Sequence, residues 1–247
     1  IGIFTACIVF PVSILLEGSL TKIERSRIFV IYIIAFFVIF FWAAYEQAGA
    51  SLTLFAAEQT DRTIFGWEMP ASWIQSFNPF FVVILAAIMP SVWGALNKRG
   101  MEPASPTKQA IGLLLLSLGY LVICFGVKDV QPGVKVSLIW LTGLYFIHTM
   151  GEIALSPIGL SMVNKLTPVR FASLMMGIWY LSTSTANKFA GTLGGLYPED
   201  GKVKTLLGFR IETMFDFFMV FVIMSGVASL ILFLLSKKLQ KMMHGVE

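Results

Sequence analysis

The sequence predicts an all-α integral membrane protein, with six transmembrane helices in one bundle and one short apolar helix before them. Three observations predict this. Hydrophobic residues make up 57% of the 247 residues and charged ones 13%, and the mean hydropathy of +0.81 lies far outside the range of soluble domains. Six apolar runs reach the roughly 20 residues that a helix needs to cross the bilayer core. The Lys and Arg between those runs alternate from a cation-rich side to a cation-poor one, as topology requires.

In chain order the spans are 28–50, 77–96, 111–127, 136–163, 171–196 and 214–236. Residues 1–16 are a shorter apolar candidate without an initiator Met, a basic n-region or a small-residue cleavage site, so they read as the tail of an earlier helix rather than a signal peptide. The numbering is therefore expected to open inside a longer polypeptide. Eleven cations fall on one side (Lys22, Arg25, Arg27, Lys98, Arg99, Lys108, Lys165, Arg170, Lys237, Lys238, Lys241) and six on the other (Arg62, Lys128, Lys135, Lys202, Lys204, Arg210). The positive-inside rule makes the first side cytoplasmic and puts both ends of the six-helix unit there. The bilayer itself is the first partner, and the net charge of +4 is topological evidence rather than a nucleic-acid signal.

Turn residues punctuate the spans. Pro106 and Pro168 stand where a helix can begin, since proline's missing N–H is not needed there. Pro132-Gly133 and Pro198-Glu199-Asp200-Gly201 mark outer loops. The longest outer connection, 56–75, holds Trp67 and Trp73, which suit an interfacial belt. Cys7 and Cys124 lie in apolar runs and read as small buried apolar residues, neither a disulfide framework nor a zinc site.

The function lies in what the apolar runs tolerate. Glu46 and Glu152 sit within membrane-length stretches, where a charge costs about 2.5–3.5 kcal/mol even on lenient insertion scales and so faces a partner or an aqueous path. In the first span Trp42, Glu46 and Gly49 share a face, with Ala43, Ala44, Ala48 and Ala50 small enough for a close neighbour. The alternative for Glu46 is a solvated charge at a helix end. In the fourth span Tyr145, His148, Glu152, Ser156 and Gly159 step along one face, and Pro157 interrupts the backbone ladder beside the acid, making Pro157 and Gly159 a candidate hinge. His148 either tunes Glu152 or hydrogen-bonds within the bundle, the latter being favoured, and the pair lacks the three or four ligands of a metal site. The fifth span places Trp179, Thr183 and Asn187 on one face with Lys188 beside them, followed by Ala190, Gly191, Gly194 and Gly195 at packing spacing. Lys188 either pairs with a carboxylate, snorkels or faces a cavity. Asn78-Pro79 opens the second span, where the amide either caps its own helix or touches a ligand.

These motifs resemble a known family. FFWAAYEQAGASLTLFA, SFNPFF, GEIALSPIGLSMVNKLTP and FASLMMGIWYLSTSTANKFAG are similar to the seventh, eighth, tenth and eleventh helices of the proton-dependent oligopeptide transporters, in the major facilitator superfamily. The resemblance implies that residues 24–247 are the C-terminal six-helix bundle of a major facilitator fold, and that 1–23 are the end of an inter-bundle helical hairpin and a cytoplasmic linker. It implies proton-coupled symport of di- and tripeptides across the inner (plasma) membrane, the substrate sitting between this bundle and an N-terminal six-helix bundle as partner, with the proton as coupling ion and no other cofactor. Glu46 then matches the seventh-helix acid of proton coupling, Glu152 the acid that holds the peptide amino terminus, and Asn78 the amide beside it. Trp179 and Thr183 match pocket-lining positions, Thr183 standing where a serine is common, and Ser156 lies on the same tenth-helix face as a further substrate-binding candidate. The family's first-helix ExxERFxYY motif is absent from these residues.

Two further readings remain at this level: a same-family carrier of a non-peptide substrate, and a seven-helix receptor or retinal protein with Lys188 as Schiff-base lysine. An enzyme is disfavoured, because no nucleophile and base occur at a recognisable spacing.

Overall fold

The computed structural model describes residues 2–128, 130, 133–199 and 202–246. Pro132, Asp200 and Gly201 of the expected outer turns therefore lie outside the described residues, as does Ile1. Eight helices follow in order: α1 (Gly2–Leu15), α2 (Lys22–Tyr45), α3 (Ser51–Glu58), α4 (Phe77–Lys98), α5 (Ser105–Val127), α6 (Leu138–Leu166), α7 (Ala172–Gly194) and α8 (Met214–Met242). Among the described residues five stretches are long and apolar enough to cross a membrane: α2 with α3, α4, α5, α6 and α8. The sixth expected span is present as α7, whose 23 residues would cover about 35 Å. Its composition falls short because Ser182, Thr183, Ser184, Thr185, Asn187 and Lys188 dilute the apolar residues.

Sequence chemistry sets the helix starts. Thr21 caps α2 in a reciprocal capping box with Glu24, and Thr213 does the same for α8 with Asp216, each satisfying amides that no helical carbonyl reaches. Pro106 sits in the first turn of α5, and Pro168 precedes the one-turn 3₁₀ helix Val169–Phe171 that leads into α7. The ends of the bundle meet: Arg27 donates to the carbonyls of Met243 and His244, and Ser26 to that of Met242, tying the start of α2 to the end of α8. Arg170 closes the same end by donating to the Ser19 carbonyl and to Glu24.

The core is a packed slab of α5, α6 and α8 against which α2 lies, with α7 packed chiefly on α2. Phe41, Phe55, Tyr120, Phe217, Phe218 and Phe221 are fully buried in it. The α5–α6 seam follows from three glycines seven residues apart. A methyl at Gly112 would stand 2.8 Å from Leu155 Cβ, at Gly119 2.3 Å from His148 Cδ2, and at Gly126 2.5 Å from Trp140 Cγ. Only hydrogen fits there, so the helices approach closely along their whole contact. The α7 glycines do less than their spacing suggested: Gly191 has nothing within 4 Å, and only Gly194 meets another helix, with Gln47 Oε1 at 3.4 Å. Gly49 of the first span is likewise open. Of the two cysteines, Cys124 is buried as expected, whereas Cys7 is half-buried with its sulfur 3.1 Å from the Thr185 hydroxyl, where α1 packs on α7.

The outer connections differ from the long loops expected. The first span does not stop at residue 50 but continues through α3 to Glu58. Two-residue hairpins then turn at Phe65-Gly66, between β2 (Thr63–Ile64) and β3 (Trp67–Glu68), and at Leu207-Gly208, between β5 (Lys204–Leu206) and β6 (Phe209–Ile211). Strand β1 (Thr60–Asp61) pairs in parallel with β4 (Val136–Ser137), so Val136 belongs to a strand and α6 begins after its cap, Ser137. The Trp67 and Trp73 rings meet at 5.4 Å, tilted by 57°, and remain half exposed, at 50% and 56%. In the α7–α8 connection Lys202 and Lys204 donate to the Glu199 carboxylate, holding it below the ordinary carboxylate range.

The α5–α6 seam generates a test. Gly119→Ala drives a methyl into His148, and overpacking of this kind costs about 1–3 kcal/mol; the expected result is a lower melting temperature in detergent, whereas the same change at Gly177, which has nothing within 4 Å, leaves it unaltered.

Candidate functional site

The membrane-depth carboxylate of Glu152 gathers three helices. Tyr45, the last residue of α2, donates its hydroxyl to Glu152 Oε2 at 2.5 Å. Asn78, in the first turn of α4, donates its amide to the same oxygen at 2.9 Å and to Thr149 Oγ1 at 3.2 Å, and also contacts the Tyr45 hydroxyl. Thr149, one turn before Glu152 on α6, donates its hydroxyl to the Tyr145 carbonyl at 2.7 Å, so toward Asn78 it serves as acceptor. Ser76 is the residue that precedes α4. The Asn78 side chain therefore serves the neighbouring helices rather than capping its own.

The local conformation of the first span explains why Tyr45 reaches this point. The α-helix ends at Tyr45, Glu46–Gly49 form a 3₁₀ turn, and Ala50 takes φ −125°, ψ −101° before α3 resumes. Side chains serve the carbonyls around the break. Gln47 Nε2 donates to Ala43 O and across to Ala190 O of α7, Tyr120 of α5 donates to Ala44 O at 2.7 Å, and Thr53 donates to Ala48 O. Ser51 donates to Gln47 Oε1, completing the amide. Non-helical backbone at membrane depth is tolerated where such partners exist. Glu46 thus stands at the C-cap of α2 yet inside the membrane-length stretch Lys22–Glu58, and its side chain is exposed on the bundle surface.

The other expected residues separate into two groups. Ser156 is half-buried one turn beyond Glu152. Trp179 is buried, and its indole lies over Gly159, where an added methyl would stand 2.5 Å from Cζ2; Gly159 is thus a packing position between α6 and α7. Pro157 stands exposed within α6, which runs unbroken through it, and Gln109 of α5 donates to the Leu155 carbonyl two residues earlier at 2.8 Å. Thr183 is half-buried, while Asn187 and Lys188 are exposed on α7. His148 turns away from the acid: its Nε2 meets the Leu116 carbonyl of α5 at 3.1 Å, and its ring packs 4.7 Å from Tyr120. Its side chain is 3% exposed, so the bundle hydrogen bond describes it.

Tyr45 and Thr149 are members of the cluster that the sequence did not single out. Thr149 was within reach of spacing, standing three residues before Glu152 on one helix face. Tyr45 meets Glu152 across 107 residues, and no local pattern carries that contact.

A chain with this fold and cluster has close relatives. Residues 5–206 match the POT family. The peptide transporter YePEPT of Yersinia enterocolitica is 37% identical over 185 residues, covering 74% of this chain and 36% of that protein. Dipeptide and tripeptide permease A of Escherichia coli K12 is 30% identical over 218 residues, covering 88% and 43%. The crystal structure of a peptide transporter POT in complex with sulfate superimposes with a TM-score of 0.86 at 29% identity, covering 98% of this chain and 46% of that one. The chain thus spans less than half the length of these relatives. Membership removes the seven-helix receptor and retinal-protein readings: with its six long helices and its Tyr45–Asn78–Glu152 cluster, the chain belongs to the POT family.

Proposed function

We propose that the protein carrying this chain takes up di- and tripeptides by proton-coupled symport with alternating access, the chain supplying the C-terminal half of the binding cavity. The observation that carries this reading is the Glu152 carboxylate, set at membrane depth and oriented by Tyr45 and Asn78. Such a group suits a ligand with an ammonium, because a charge-assisted hydrogen bond in a low-dielectric cavity is worth more than a neutral one. The related peptide transporter and dipeptide and tripeptide permease support a peptide in preference to other amines. In this reading Ser156, Trp179 and Thr183 line the pocket beside Asn78, Lys188 is available to tune it, and Pro157 with Gly159 serves as a hinge in α6.

Glu46 takes the coupling role. It is exposed on the surface of this bundle, which we assign to the interface with an N-terminal six-helix bundle. Protonating a carboxylate in such a place removes a desolvated charge. Proton entry can thereby break an ion pair across the bundles and let them rock about the substrate. Residues 24–247 form the C-terminal bundle in this scheme and 1–23 the end of an inter-bundle hairpin with its linker. The eleven cations on the side shared by the start of α2 and the end of α8 support a cytoplasmic C-terminus and a plasma-membrane (inner-membrane) location.

The experiment is uptake of a labelled dipeptide into liposomes holding the full-length polypeptide, with and without an inward proton gradient. Gradient-dependent accumulation is expected; no uptake across several di- and tripeptides would move the substrate to a non-peptide compound. Glu46→Gln abolishes proton-driven accumulation while sparing peptide exchange, and full accumulation by that mutant would take Glu46 out of the coupling role. Glu152→Ala weakens peptide binding about 10- to 100-fold, the cost of removing a charged hydrogen-bond partner of ~1.5–3 kcal/mol; unchanged affinity in a binding titration would sink the assignment.

A further inference from the structure

The hydrogen bonds to Glu152 are distributed unevenly over its two oxygens. Among the described residues, both side-chain donors, the Tyr45 hydroxyl at 2.5 Å and the Asn78 amide at 2.9 Å, land on Oε2. An ionised carboxylate offers about two acceptor positions on each oxygen. Oε2 is therefore filled by protein donors, and Oε1 keeps its acceptor positions for something else. Two fixed donors on one oxygen also set the rotation of the carboxylate plane, which a single donor does not.

Tyr45 itself is held from several sides. Its ring stacks on Phe41 at 5.4 Å with 17° between the planes, stands edge-on to Trp42 at 5.4 Å, and lies 6.2 Å from the His148 ring. His148 is anchored in turn on the Leu116 carbonyl of α5. The backbone on which Tyr45 sits ends its α-helix at that residue, and the carbonyl just before it, that of Ala44, is tied to Tyr120. Packing thus sets the ring and the bound carbonyl steadies the backbone, so the hydroxyl is presented to Glu152 with little freedom left to lose.

We propose that Tyr45 is a positioning residue for the cation site: its hydroxyl fixes the Glu152 carboxylate through Oε2 and so reserves Oε1 for the ammonium of a ligand. The inference rests on the peptide-carrier reading and names the residue that sets its amine subsite. The ligand does not have to displace Tyr45, because tyrosine and ammonium use different oxygens. Removing the hydroxyl while keeping the ring therefore weakens binding without harming the transport cycle, the signature of an interaction made equally in ground and transition states.

The test is dipeptide exchange in liposomes by the full-length polypeptide, comparing wild type, Tyr45→Phe and Glu152→Ala, with melting temperatures of each in detergent. Phenylalanine retains the contacts with Phe41 and Trp42. The expected result for Tyr45→Phe is a KM raised about tenfold, equivalent to ~1.4 kcal/mol, with maximal rate within about twofold of wild type, and a melting temperature that falls by no more than the loss of one hydrogen bond. A KM equal to wild type overturns the proposal. So does a loss of maximal rate together with a lower melting temperature, which would assign the hydroxyl to the fold alone. Exchange that Glu152→Ala disables and Tyr45→Phe leaves intact keeps the carrier reading and removes only Tyr45 from it, whereas no exchange by the wild type overturns both.

Discussion

A carboxylate inside a membrane-length helix is the constraint around which this bundle is arranged. Glu152 cannot be left bare at that depth without a cost of several kcal/mol, and the donors that receive it come from α2 and α4, two elements far from it in sequence. Thr149 adds a contact from α6 itself to the same Asn78 amide. The relative placement of three helices is thus written into one hydrogen-bonded group. α4 shows the dependence most clearly, since only 11% of its apolar window is buried within the bundle and α6 is the helix it packs along. Asn78 gives this loosely packed helix a polar attachment at its N-terminal end.

The same constraint explains the break in the first span. A continuous α-helix through Tyr45 and Glu46 would leave no backbone discontinuity to stabilise, yet the structure spends buried Gln47, Ser51 and Tyr120 on the carbonyls and amide around one. Each of those side chains would be costly in an apolar core without its partner. Together they hold Tyr45 against Glu152 and leave Glu46 on the bundle surface, so adjacent residues of one chain serve two different environments. Broken helices in transporters place polar groups at the midplane by this means.

Much of this was legible in the residues. Apolar runs gave the six long helices, and the alternation of Lys and Arg agrees with the meeting of Arg27 and the end of α8 on one side. Glu46, Glu152 and Asn78 stood out because lipid penalises them. What escaped was geometry that local patterns do not encode. The span boundary at residue 50 was misplaced because a one-turn 3₁₀ break reads as the end of a helix, although α3 carries the stretch to Glu58. Gly112, Gly119 and Gly126 were visible at a seven-residue spacing but acquire meaning only from Leu155, His148 and Trp140 opposite them. The α7 glycines had the more familiar spacing and the weaker contacts. His148 shares a face with Glu152 in projection, yet helix α5 draws it to Leu116.

The contrast between the two kinds of contact bears on how such a bundle can work. Along α5 and α6 the backbones meet at glycines with no room for a methyl, and α5 packs as extensively on α8; close-packed interfaces of this type resist continuous deformation. The attachments of α2 and α4 to α6 at the site run instead through hydroxyl, amide and carboxylate groups. Hydrogen bonds to a charged group are worth about 1.5–3 kcal/mol each, and they are directional contacts at single atoms rather than a continuous packed surface. In the proposed reading, a ligand that donates to Oε1 of Glu152 acts on the very group to which α2 and α4 are attached, while the close-packed slab lies behind it. Tyr45, Asn78 and Glu152 thus lie where α2 and α4 meet α6 through polar groups, and the glycine seam of α5 and α6 is the tighter kind of contact.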